Sequence, residues 1–133
     1  MSAPRVVIVG HVEWVTHAQG RLPARGHIAD LREPLAEAAG GGGVAAAAAC
    51  RLGADTVLLT ALGDDDAAAR SLDQLEQRGV RVAAARRTAA QTPVLTITEP
   101  DAERTIMVVG ERLQASAADP QVGPALEDAA AAY

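Results

Sequence analysis

Apolar and polar positions along this chain switch repeatedly between the two-residue period of a strand and the helical period. The run Arg5-Val6-Val7-Ile8-Val9-Gly10 is short, β-branched and closed by glycine, which predicts a first strand buried on both faces, as in a parallel sheet. From His11 to about Arg32 the alternation is weaker, with Val12, Trp14, Val15, Ile28 and Leu31 interrupted by Gly20, Pro23 and Gly26. Two short antiparallel strands around a turn are expected there. Four glycines at positions 40–43 follow, read as a loop because glycine is costly inside a helix. The alanine-rich stretch at 44–52 then predicts a helix, with Gly53 as its terminator.

The remaining pattern continues the alternation. Thr56-Val57-Leu58-Leu59-Thr60 is a second buried strand. Asp64, Asp65 and Asp66 suit a helix start, and Ala68, Ala69, Leu72 and Leu75 form one stripe of a helix reaching about Arg78. Val80 and Val82 open a third strand. Residues 92–98 and 104–109 form a hairpin around a Pro-Asp step, and a short helix from about Ala125 leads towards another strand. Strand and helix alternating in this way define an α/β fold with a parallel sheet.

Composition narrows the function. The chain has 133 residues, one domain's worth or a piece of a larger one, with 49% hydrophobic and 22% charged residues and a formal charge of −5. A phosphate-backbone binder is disfavoured by that charge, and an aromatic content of 2% excludes a base-stacking platform. Every basic residue is arginine, so a Walker lysine, a Schiff base and a lysine general base are all excluded. Cys50 is the only cysteine, which excludes an internal disulfide and suits a reducing cytoplasm. No signal peptide or membrane span is visible.

The candidate chemistry lies in a few places. A glycine stretch at a helix start brings backbone N–H groups close to a ligand and aims them from the positive end of the helix; a flexible turn is the alternative. Glu13 lies just past the carboxyl end of the first strand, where open α/β sheets place ligands, and its carboxylate is suited either to sugar hydroxyls or to solvent. A dinucleotide fingerprint fails, because Val12 and Val15 stand where glycines are needed. His11, His17 and His27 have no metal-ligand register, and Asp64 to Asp66 are assigned to helix capping in preference to magnesium. Arg104 and Arg112 flank the second hairpin strand and are either anion contacts or surface residues.

Taken in order, these segments resemble the N-terminal part of the ribokinase-like, PfkB-type carbohydrate kinases. The matching features are the strand ending in Gly10, Pro23-x-x-Gly26, the glycine stretch, Arg51-Leu52-Gly53, Gly63-Asp64-Asp65, Leu75-x-x-x-Gly79-Val80, Thr92-Pro93-Val94, and Glu103-Arg104-Thr105-Ile106 before Gly110. The resemblance implies the N-terminal portion of a ribokinase-like doubly wound sheet in residues 1–133, with a small β lid made of strands at approximately 12–32 and 92–109. It implies a parent enzyme that phosphorylates a hydroxymethyl group of a sugar or nucleoside with ATP and Mg2+, in the cytoplasm, without nucleic acid or membrane partners. Substrate contacts are expected from Glu13, Trp14, Val15, Gly40, Gly41, Gly42, Gly43 and Val44, and a homodimer through the lid strands.

Two departures qualify that expectation. The sequence has no asparagine; Glu13 and Val15 stand where many sugar-binding members carry Asn and Asp, and Val44 takes the place of the family's loop asparagine. The family's Gly-Ala-Gly-Asp segment, whose aspartate is the catalytic base, does not occur. The chain is therefore expected to hold no catalytic residue and no metal, and to carry the substrate-binding half and lid of a kinase. The alternative is a non-catalytic sugar- or nucleoside-binding or dimerisation module derived from one.

Overall fold

The computed structural model describes residues 2–133, and contains two four-stranded sheets. The first is built from β1 (Arg5–Val9), β4 (Asp55–Leu62), β5 (Arg81–Arg86) and β8 (Ala131–Ala132), in the order β5-β4-β1-β8 with all pairs parallel. Alternate residues of the central strands face opposite sides. Ile8 and Leu58 pack beneath the helices α1 (Gly40–Arg51) and α2 (Asp66–Gln77), in a core with Val12, Ala46, Leu62, Ala68, Leu75 and Val80. Val7, Val57 and Leu59 face the other way, onto Ala125 of the short helix α3 (Val122–Leu126). Helices on both faces of a parallel sheet make this a doubly wound arrangement.

The second sheet has the order β3-β2-β6-β7, from β2 (Glu13–Gln19), β3 (Arg32–Ala39), β6 (Pro93–Thr98) and β7 (Arg104–Val108). The expected hairpin at 92–109 is present as β6 and β7, with Val94 opposite Val108 and Thr98 opposite Arg104. The other expected pair is shifted. Its second strand begins only at Arg32, and Ile28, read as part of a strand, is 95% exposed in the connection. Pro34 explains why this strand is hard to read: it has no N–H to give a ladder, and is tolerated because β3 is an edge strand. The register slips there, with His17 opposite Leu35 but Gln19 opposite Arg32, and Glu33 takes up the extra residue at φ 53.

The glycine stretch is not a loop. Strand β3 runs directly into α1 at Gly40, whose φ of 80 makes the turn from strand to helix without a connecting residue, and all four glycines lie in the helix. Their cost in helix propensity is offset by close approach. A Cβ on Gly42 would lie 2.6 Å from the carbonyl carbon of Gly10 and 2.8 Å from its Cα, so backbone meets backbone at that crossing. No side chain caps the start of α1; instead, the Gly42 amide donates to the His11 carbonyl at 3.0 Å. Asp65, by contrast, caps α2 as expected, accepting from the Ala68 amide at 3.0 Å.

Candidate functional site

The carboxyl end of β1, the first turn of α1 and the inner face of the second sheet enclose a cleft of about 800 Å³. Of the residues expected to contact a substrate, Glu13, Val15, Gly40, Gly41, Gly42 and Val44 line it together. Trp14 and Gly43 do not. Trp14 follows the pleat of β2 to the opposite side and packs on the helix-covered core, and Gly43 is buried under α2, where a Cβ would meet Leu75 and Val12. His11, His17, Glu37, Val94, Thr96, Arg104 and Ile106 complete much of the lining. Strand alternation finds His17, Val94, Thr96 and Ile106 once the faces are known; Glu37 lies on the strand whose start was misplaced.

The amides of the glycine stretch are partly engaged. Besides the Gly42 bond to the His11 carbonyl, the Gly41 amide lies 3.4 Å from His11 Nε2. The glycines thus give the cleft a wall without side chains, and the imidazole of His11 sits against that wall.

Glu13, at 8% exposure, is the buried carboxylate of the cleft. Its Oε1 accepts from Arg112 Nε at 2.7 Å and lies 3.4 Å from His11 Nε2. Arg112 is set in place by Thr92, whose hydroxyl donates to the Glu111 carbonyl at 2.8 Å and accepts from the Leu113 amide at 3.4 Å. Glu37 is engaged likewise, by His17 Nε2 at 3.1 Å and Arg78 Nη2 at 2.9 Å. Arg78 also donates to the Ala38 carbonyl, and Gln74 accepts from the Ala38 amide, so the side chains of α2 and the residue that follows it grip β3.

A residue without a sequence motif joins the two sheets. Gln91, 1% exposed, donates through Nε2 to the Val12 carbonyl at 2.7 Å and accepts at Oε1 from the Gly63 amide at 3.0 Å. Its own amide reaches the carboxylate of Asp65 at 3.2 Å. One side chain thus ties the end of β4 to the entry into β2. Only its position one residue before Thr92-Pro93-Val94 hints at this in the sequence.

Among the described residues, no group of three or more His, Cys, Asp or Glu is placed to hold a metal ion. Within the Asp64 to Asp66 cluster, the central carboxylate accepts from the Ala68 and Gln91 amides. Among the described residues, no helix is long and apolar enough to cross a membrane.

A doubly wound sheet with a cleft at its strand ends, closed over by a second small sheet, is the arrangement in which open α/β folds place their ligands. The chain belongs to the pfkB family of carbohydrate kinases, whose sequence pattern matches residues 3–133. The ribokinase of Arabidopsis thaliana, solved with ribose and ATP, superposes with a TM-score of 0.78 at 20% identity, over 99% of this chain and 45% of its own. Phosphofructokinase-2 of Escherichia coli, solved with fructose-6-phosphate, gives 0.70 at 16% identity over 84% of this chain and 37% of its own. The ribokinase of Cryptococcus neoformans, solved with ADP, gives 0.67 at 21% over 81% and 35%. The chain therefore spans less than half the length of these kinases. No curated protein sequence matches it.

Proposed function

We propose that this chain is the acceptor-binding half and lid of a longer, ATP-dependent cytoplasmic kinase. The parent moves the γ-phosphoryl group of ATP to a hydroxymethyl group of a sugar, nucleoside or related polyol. The observation that carries this reading is the cleft itself, in which Glu13, the side-chain-free turn of α1 and the lid strands converge at the carboxyl end of β1.

In the transfer, the hydroxymethyl oxygen bonds to the γ-phosphorus, the bond from that phosphorus to the bridging oxygen breaks, ADP departs and the hydroxyl proton passes to a base. Of the two carboxylates in the cleft, Glu13 is paired with Arg112 and Glu37 with His17 and Arg78, and both are read here as orienting groups and not as that base. Base, nucleotide pocket and Mg2+ site are assigned to the rest of the parent. What this half contributes is orientation of the acceptor and exclusion of water beneath the lid. Pairing of two copies through the lid strands fits the exposed Leu35 on β3 and Ile106 on β7.

The test is ADP release by the complete reading frame, supplied with ATP and a panel of sugars and nucleosides, beside the isolated 133-residue chain. Acceptor-dependent release is expected from the complete protein alone. Turnover by the isolated chain would overturn the division of labour. Acceptor binding without any release from the complete protein would replace the kinase by a non-catalytic binding module.

A further inference from the structure

One nitrogen in the cleft faces two partners that make opposite demands on it. His11 Nε2 lies 3.4 Å from the Gly41 amide, which only donates, and 3.4 Å from Glu13 Oε1, which when ionised only accepts. The first contact needs a lone pair on Nε2 and the second needs a hydrogen there, so the two bonds exclude each other. Both distances are long for a hydrogen bond, as suits a ring set midway between its partners. The surroundings hold it there. A Cβ on Gly40 would stand 3.1 Å from His11 Cδ2, and one on Gly41 3.4 Å from Cε1, so the imidazole lies against the glycine wall where side chains would crowd it. The His11 carbonyl is fixed by the Gly42 amide at 3.0 Å, and Glu13 by Arg112 Nε at 2.7 Å. Changing partner therefore needs a proton on Nε2 and little movement. The side chain is 30% exposed, so water in the cleft can supply that proton. Among the described residues, the ionisable groups beside the ring are Glu13 and, through it, Arg112; the first turn of α1 has none. The others lining the cleft are His17 and Glu37, which pair with each other, Arg104 on β7, and Tyr133.

We propose that His11 is a positioning residue that couples a proton on Nε2 to acceptor binding, a role that rests on the reading of the cleft as an acceptor site. With Nε2 bare, the imidazole takes the Gly41 amide and stands in for an oxygen of the acceptor. With Nε2 protonated, it donates to Glu13 and frees the Gly41 amide to donate to that oxygen. Acid favours the second state, because the imidazolium has no lone pair. Proton and acceptor therefore strengthen each other's binding, by linkage.

The complete protein, titrated calorimetrically with D-ribose, D-fructose and adenosine in buffers of different ionisation enthalpy, tests the assignment. A probe that binds is expected to take up a fraction of a proton, and to bind roughly 5-fold or more tightly at about pH 6 than at about pH 8. His11→Gln keeps a polar side chain but no titrating nitrogen, and is expected to abolish both effects. No uptake by the unsubstituted protein, or uptake that survives His11→Gln, would overturn the proposal. Failure of all three probes to bind counts against the acceptor-site reading alone, and nuclear magnetic resonance of the unliganded complete protein then decides the switch. There the Gly41 amide proton is expected to move upfield on acidification, with the same midpoint as the His11 Cε1 proton. A Gly41 amide indifferent to that titration would overturn the exchange of partners.

Discussion

Gly10 and Gly42 touch through their backbones, and that contact explains why a helix starts with its poorest formers after proline. Position by position, propensity argues for a loop over residues 40–43, and only the crossing partner, absent from any local window, overrides it. Gly42→Ala is expected to destabilise the fold by about 1–3 kcal/mol, because neither neighbour can yield except by moving backbone. Denaturant unfolding would show this, with Gly123→Ala, which meets nothing within 4 Å, as the near-neutral control. Glu13 was legible from its place after the first strand. Gln91 was not, since a glutamine outside a motif has the same sequence signature whether it is exposed or joins two sheets. Replacing it with leucine would strand the Val12 carbonyl and the Gly63 amide in the interior, at about 1–3 kcal/mol each.

A pair of residues also sets an acid response. The Arg87 guanidinium, then the Ser116 amide, hold the Asp119 carboxyl below the usual carboxylate value, against the opposing effect of burial. With its folded value depressed, Asp119 contributes stability that is complete above its unfolded value of about 3.9 and is lost as pH falls through the folded one. Arg87→Gln is expected to narrow the difference in Tm between neutral pH and pH values below about 4. An unchanged difference would show that the pair carries no linkage.

At the scale of elements, strands with dense β-branched runs, β1 and β4, were plain in the sequence, as was the amphipathic α2 with its Asp65 cap. β3 was obscure because its apolar content is Leu35 and alanines, and because a bulge at Glu33 and Pro34 breaks the period. Helix α2 carries one local inconsistency: the Ser71 hydroxyl is fully buried without a hydrogen-bond partner. Ser71→Ala removes that polar atom and improves helix propensity, so thermal unfolding should show a gain of up to about 1 kcal/mol. A loss instead would point to a partner that the hydroxyl meets in solution.

For the whole molecule, the two sheets are tied together by Gln91 and by the grip of Gln74 and Arg78 on Ala38. The alternation of elements announced the larger sheet; the assembly of the smaller one rests on a pairing between distant segments that no local pattern records. Its outer strand β7 presents Ile106, Met107 and Val108, with Val109 beyond, all exposed. An open edge of that character is a template for another strand. The isolated chain is expected to self-associate in size-exclusion chromatography with light scattering, and Met107→Lys is expected to shift it towards monomer. A monomeric peak before substitution would refute this.

The parallel ladder between β2 and β6, with Trp14 opposite Pro93 and Gln19 opposite Thr98, has a consequence for biosynthesis. A ribosome must release the whole of β6 before β2 can find its neighbour on that side, so until then β2 has only β3 to lean on. Two-stranded ribbons are marginal in water, and closing so long an intervening segment is slow. The flap over the cleft therefore matures after β1, β4 and β5 of the layer beneath it, and a chaperone that shields β2 from the nascent stage onwards is expected to raise the yield of folded protein more than one acting after release.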